Sequence, residues 1–219
     1  MLQTRPQKRT HPRGGLHLTL MEAAVDSSSP TPWPGEIGPI FLSQGQIQDR
    51  VADLGAQISR DYAGQDLIVV GVLKGVLFFL ADLLRAITIP VTVDFLAISR
   101  YGPSQETKGV VRLTKDLNET VADRHVLFVE DIIDTGLTTH FIMRTLHLRG
   151  PASLAACVLL NRTRRRIIEV ELAYVGFDIP DDFVVGYGLD FREQYRHLSY
   201  IVKFEPDHVH PAAPFAHEG

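Results

Sequence analysis

Cysteine is almost absent from this 219-residue chain: Cys157 is the only one, inside the apolar run LAACVLL. A lone thiol cannot close an internal disulfide, so core packing must hold the fold, and a reducing, intracellular setting fits. Cys157 itself reads as core rather than as a nucleophile. Lysine is also scarce. Lys8, Lys74, Lys108, Lys115 and Lys203 are the whole set among 22 basic residues, so arginine is this chain's habitual cation. No apolar run approaches the roughly 18 residues of a membrane-spanning helix. The net charge is −4, which gives no global reason to expect nucleic acid as a partner. Hydrophobic residues make up 45% of the chain and charged residues 22%, a balance that supports a buried core.

The ends are poor in material to bury. Residues 1–38 carry RPQKRTHPRGG and DSSSPTPWPGEIGP, with no acid before Glu22. This composition predicts a weakly ordered extension. Its basic bias loosely fits a transit peptide, but the prolines oppose an amphipathic helix, and Met21 offers an alternative start. Residues 206–219 hold three of the nine histidines. With no helix or strand to fix their spacing, they read as a flexible tail rather than a metal site. One domain over residues 39–205 is expected between these ends.

Within that span, helical and strand signals alternate. Ser43 and Gln46 have capping-box spacing, and Ile47, Val51, Leu54 and Ile58 recur at helical intervals, predicting a helix over Ser43–Tyr62. Leu67–Leu73 (LIVVGVL) reads as a buried parallel strand. Gly75–Ala86 follows as a helix, Val91–Ile98 and Lys108–Lys115 as strands, and Val126–Glu130 as a second buried strand. Thr138–Arg149 reads as a helix stopped by Gly150-Pro151, and Ser153–Leu160 as a third buried strand. This order predicts an α/β fold with a mostly parallel central sheet flanked by helices. Beyond Asn161 the pieces shorten, predicting a small hood subdomain formed largely by residues 161–204 with part of the N-terminal region. No internal repeat is evident.

The chemistry concentrates in VLFVEDIIDTGLTT, Val126–Thr139. An apolar strand delivers Glu130 and Asp131 to its carboxyl end, where open parallel sheets bind ligands. Asp134 follows, and Thr135–Thr139 turns into a helix whose free N–H groups suit a phosphate. Gly136 lets the backbone come close, and Thr135, Thr138 and Thr139 add hydroxyls. The run is neither a Walker A loop nor a dinucleotide fingerprint. Carboxylates accept hydroxyl hydrogen bonds and bind Mg²⁺ but repel phosphate. The matching ligand therefore has vicinal hydroxyls beside the acids and a monophosphate a few ångströms on, as a ribose 5-phosphate does.

The segment resembles the phosphoribosyl pyrophosphate motif of the type I phosphoribosyltransferases. Two further segments are similar to the hypoxanthine-guanine phosphoribosyltransferases within that family. GVLKGVLFFLADLLRAI, Gly71–Ile87, resembles their pyrophosphate loop, and GFDIPDDFVVGYGLDFREQYRHLSYI, Gly176–Ile201, their purine-binding region. The resemblance spans about residues 40–204. It implies the type I phosphoribosyltransferase fold and transfer of the phosphoribosyl group from phosphoribosyl pyrophosphate to hypoxanthine or guanine. The products are a nucleoside monophosphate and pyrophosphate, and Mg²⁺ is the cofactor. Glu130 and Asp131 would hold the ribose hydroxyls directly or through a metal, and Asp134 would take the proton from the purine's imidazole nitrogen. Ile132, Ile133 and Leu137 belong to the same binding segment. Lys74 and Gly75 would contact pyrophosphate, and the Leu73–Lys74 peptide can be cis in this family. Arg196 would also bind pyrophosphate, Asp190 a second Mg²⁺. Phe183 would stack on the purine, with the Val184 backbone reading its edge. A cytoplasmic homodimer or homotetramer is implied, with neither membrane nor nucleic acid as partner.

Two positions depart from the family pattern. Arg162 stands where a lysine usually faces the purine's exocyclic oxygen; it keeps charge and donors but is larger and planar. Arg100 stands where a serine usually precedes the lid tyrosine, here Tyr101. It would contact pyrophosphate or point outward. Gly102, Pro103 and Gly109 still suggest a flexible lid that excludes water. Arg164, Arg165 and Arg166 read as a solvated face, or else a subunit contact. Two alternatives stand beside the main expectation: a regulator of RNA or DNA built on this fold, and an enzyme preferring xanthine.

Overall fold

The computed structural model describes residues 36–101 and 110–205. Its elements run in this order: β1 (Glu36–Leu42), α1 (Gln44–Asp61), β2 (Leu67–Leu73), α2 (Leu77–Ala86), β3 (Val91–Tyr101) and β4 (Val110–Lys115). They continue with β5 (His125–Ile133), α3 (Leu137–His147), β6 (Ser153–Arg162), β7 (Tyr174–Ile179), β8 (Val184–Val185) and β9 (Ile201–Glu205). Six strands form the central sheet in the order β4-β3-β2-β5-β6-β7. All neighbours are parallel except β4, which runs antiparallel to β3 at the edge. Among the described residues no helix is long and apolar enough to cross a membrane.

Period-two alternation splits the core between the two faces of the sheet. Val69, Leu127, Val129, Cys157 and Leu159 face the layer of α1 and α2, where Ile47, Leu54, Phe79 and Leu83 are buried. Ile68, Val70, Val126, Phe128 and Ala156 face α3, through Ile142 and Leu146. The two helices of the first layer pack closely, because Gly55 lies against Ala86 where a Cβ would collide. Helix α1 starts as its sequence dictates. The Ser43 side chain accepts from the Gln46 N–H and Gln46 answers to the Ser43 backbone, completing the capping box.

Several boundaries move, each for a reason outside local sequence. Strand β5 runs three residues past Glu130, because pairing with β6 continues through Ile132↔Leu160 and Ile133↔Asn161. Asp131 therefore sits on a paired strand. Helix α2 opens at Leu77 rather than Gly75, after a turn in which the Leu77 N–H donates to the Lys74 carbonyl. Helix α3 ends at His147, short of Arg149. The boundary drawn at Gly38 falls inside β1, whose pairing with β9 reaches back to Glu36↔Glu205. β1, β9 and β8 form a second, three-stranded sheet in that order, the hood, in which Val185, Tyr195, Val202 and Phe204 make their own small core. The lid residues 102–109, residues 1–35 and the tail 206–219 lie outside the described residues.

Candidate active site

The carboxyl ends of β2 and β5 and the loop after β8 converge on one region. At β2, the Leu73–Lys74 peptide is cis. Gly75 lies directly against the Asp131 carboxylate, so that a Cβ there would overlap Oδ2. Behind Gly75, its carbonyl packs on Gly188, which has a φ of 98° and has no room for a side chain either. Two glycines thus let three backbone segments close around one acid.

Asp131 is held by a 2.8 Å hydrogen bond from the Ile132 N–H. Burial pushes its carboxyl up to about 6; the backbone N–H groups and the Arg196 charge oppose the rise, and Asp190 adds to it. Arg196 ties the other side together. Its Nη1 donates to the Gly188 carbonyl at 2.7 Å, and its Nη2 pairs with Asp190 at 2.8 Å and Glu193 at 3.3 Å. Lys74 Nζ also meets Glu193, at 3.0 Å, and this hydrogen bond leads in holding the Glu193 carboxyl below its ordinary range. Nothing in the sequence pattern singled out Glu193; its distance from Lys74 along the chain hid the contact.

Among the described residues no group of three or more His, Cys, Asp or Glu side chains gathers to hold a metal. Asp131 and Asp190 nevertheless lie within each other's field. Mg²⁺ is bound by one or two carboxylates with substrate phosphates and water, not by an all-protein cage. The residues present therefore fit Mg²⁺ shared with a phosphorylated ligand. Glu130 instead accepts a 3.2 Å hydrogen bond from the buried Thr139 hydroxyl, which is thus directed to Glu130 rather than free at the helix start.

The turn from β5 into α3 is fixed from outside. Gly136 has a φ of 80°, and a Cβ would collide with the Ile168 carbonyl. The N–H groups of Ile167 and Ile168 both donate to the Thr135 carbonyl. The N-cap Gly136 has no side chain to cap α3, and the Thr135 hydroxyl accepts only a long 3.4 Å bond from the Leu137 N–H, so the first turn keeps the anion-binding character of a helix start. Leu137 is exposed there, and Ile133 is buried in β5.

On the third side lies Asp134. Its Oδ2 faces two guanidinium groups, Arg162 Nη1 at 3.5 Å and Arg165 Nη1 at 3.9 Å. Its Oδ1 is buried without a partner, as is Nε of Arg162. Arg162 is almost fully buried and donates from Nη2 to the Asp182 carbonyl at 2.6 Å. Of Arg164–Arg166, expected to form a solvated face, Arg164 and Arg165 are exposed and Arg166 is half-buried. Arg165 pairs with Asp134 and Asp181, and Arg166 hydrogen-bonds the Asn161 side chain. The fold brings residues 134, 165 and 181 together, and no local pattern encodes that.

Phe183 is 42% accessible and also packs on Phe191, in a T-shaped arrangement, and on Phe204. β8 is the hood's outer strand. Because the Phe204 N–H donates to the Phe183 carbonyl, antiparallel alternation turns the Val184 backbone groups to the free edge. Arg100 and Tyr101 end β3 beside β4.

A mostly parallel sheet that presents acids, a helix start and a cationic pair at one edge has the layout of an α/β ligand-binding site. The phosphoribosyl transferase domain model matches residues 41–192, and the chain belongs to that family, in its hypoxanthine and hypoxanthine-guanine branch. It is 46% identical over 198 residues to a hypoxanthine-guanine phosphoribosyltransferase of Mycobacterium tuberculosis, covering 87% of this chain and 98% of the relative. It is 44% identical over 166 residues to the hypoxanthine phosphoribosyltransferase of Escherichia coli, covering 75% and 93%. The fold superposes on a hypoxanthine-guanine phosphoribosyltransferase from Bacillus anthracis with a TM-score of 0.73 and 44% identity, over 77% of this chain and 99% of that one.

Proposed function

We propose that this enzyme transfers the 5-phosphoribosyl group from phosphoribosyl pyrophosphate to hypoxanthine or guanine, releasing pyrophosphate and the nucleoside monophosphate. The observation that carries the purine assignment is the Arg162 guanidinium beside Asp134, its Nη1 3.5 Å from Oδ2, with Oδ1 left without a protein partner. Asp134 takes the proton from the purine's imidazole nitrogen as the C1′–N bond forms and the C1′–pyrophosphate oxygen bond breaks. Arg162 donates to the 6-oxo group. It cannot accept from an amino group, so adenine leaves donors facing donors, at a cost of about 1–3 kcal/mol.

Phe183, which is exposed, offers its ring for stacking, and Val184 offers its backbone edge. Glu130 and Asp131 hold the ribose hydroxyls and favour the positive charge that develops at C1′. The helix start after Gly136 holds the 5-phosphate. Lys74, the Gly75 backbone and Arg196 bind pyrophosphate, which displaces Glu193 from the two cations. Asp131 and Asp190 would hold Mg²⁺, which would supply positive charge to offset the negative charge of the leaving pyrophosphate. The enzyme works as a cytoplasmic homo-oligomer.

A turnover assay with hypoxanthine, guanine, xanthine and adenine, with and without Mg²⁺, tests this. Turnover of the first two that requires Mg²⁺ is expected. Preference for adenine would reject the assignment of Arg162, and preference for xanthine would reject hypoxanthine and guanine as the substrates. Asp134→Asn should lower kcat by about two to four orders of magnitude, with little loss of phosphoribosyl pyrophosphate affinity.

A further inference from the structure

We infer that Arg165 is a positioning residue for the reaction: it orients Asp134 and ties it to the loop that carries the purine-stacking Phe183. The two oxygens of Asp134 have different surroundings. Oδ2 is engaged by Arg162 and Arg165, at 3.5 and 3.9 Å, while Oδ1 is buried and unpartnered. Cations on just one oxygen restrict the carboxylate's rotation. Arg165 makes a second ion pair through Nε, with Asp181. Asp182, next in the chain, is anchored by the Arg162 Nη2 bond to its carbonyl and by Lys203 Nζ, 2.7 Å from its carboxylate. The base and the stacking ring are thus connected through Arg165 and Asp181 on one path, and through Arg162 and Asp182 on another.

Arg165 is half exposed, with 49% of its side chain accessible. An ion pair in such a place contributes little to stability. A shift of about 1 Å in a reacting group, by contrast, can cost roughly a hundredfold in rate. Arg165 therefore acts on turnover and purine binding rather than on folding.

The inference rests on Asp134 as the purine-facing base. Arg165→Ala is expected to lower kcat/KM for hypoxanthine by roughly ten- to a hundredfold, with a raised purine KM and an unchanged KM for phosphoribosyl pyrophosphate. Asp181→Asn should reproduce the effect. The double variant should be no worse than either alone, because both break one connection. Arg165→Lys, which can reach one acid but not bridge two, should restore part of the loss. Equal losses toward both substrates, or additive losses in the double variant, would overturn the inference. An inactive Asp134→Asn with an unchanged Arg165→Ala would overturn it alone. A fully active Asp134→Asn would overturn the base assignment and this inference with it.

Discussion

Gly75→Ala should disable the sugar-pyrophosphate side of the site while leaving the fold intact. The new Cβ would overlap Asp131 Oδ2 and lie 2.9 Å from its Cγ. The backbone at Gly75 cannot retreat, because its carbonyl already packs on Gly188. Asp131 must move instead, by about 1.5 Å to regain ordinary contact, which detaches it from the Ile132 N–H. A displacement of that size in a substrate-holding group costs roughly a hundredfold in rate. Steady-state kinetics should show kcat/KM for phosphoribosyl pyrophosphate down about a hundredfold, with the purine KM nearly unchanged. Calorimetric titration should show the same selective loss, and the thermal midpoint should stay close to wild type. Asp131→Ala removes the clash partner, so Gly75→Ala added to it should cost little more. Wild-type kinetics for phosphoribosyl pyrophosphate in Gly75→Ala, or full additivity with Asp131→Ala, would refute the argument.

Two further outcomes concern protons. Asp131 titrates at about 6 in the free protein, against about 3.9 unfolded. The folded state holds that proton more tightly, so this group's contribution to stability declines as pH rises from about 4 to about 6. If the ionised form binds Mg²⁺ and phosphoribosyl pyrophosphate, their affinity should fall about tenfold from pH 7 to pH 5. Calorimetry at the two pH values would measure this, and a flat profile in wild type would reject Asp131 as a ligand. Buried Asp94 behaves oppositely. Burial opposes its ionisation, but the N–H groups of Glu119, Phe95 and Asn118, with Lys115, outweigh that and hold its pKa low. Its stabilisation is complete above about pH 3.9 and is lost as pH falls through the depressed folded value. Asp94→Asn should cost about 2 kcal/mol at neutral pH, a difference that shrinks in acid; urea titration with equal midpoints at pH 7 would contradict it.

Local sequence determined the central framework. β2 was legible to the residue in Leu67–Leu73, and the Ser43 capping box marked the start of α1, because apolar periodicity and capping are short-range signals. The strand, turn and helix start of VLFVEDIIDTGLTT were legible for the same reason: they are contiguous. Tertiary structure alone decided the rest. β1 is a strand because β9 lies beside it, and no pattern in Glu36–Leu42 names that partner. Asp131 reaches on as part of β5 because β6 continues to pair with it. The neighbours that tune the acids come from far along the chain: Gly188 behind Gly75, Glu193 on Lys74, and Arg165 between Asp134 and Asp181. Charge runs such as RTRRR look alike whether solvated or engaged, since their role depends on which carboxylates the folded loops bring near. Composition and periodicity fix what must be buried; only packing fixes which charged groups meet.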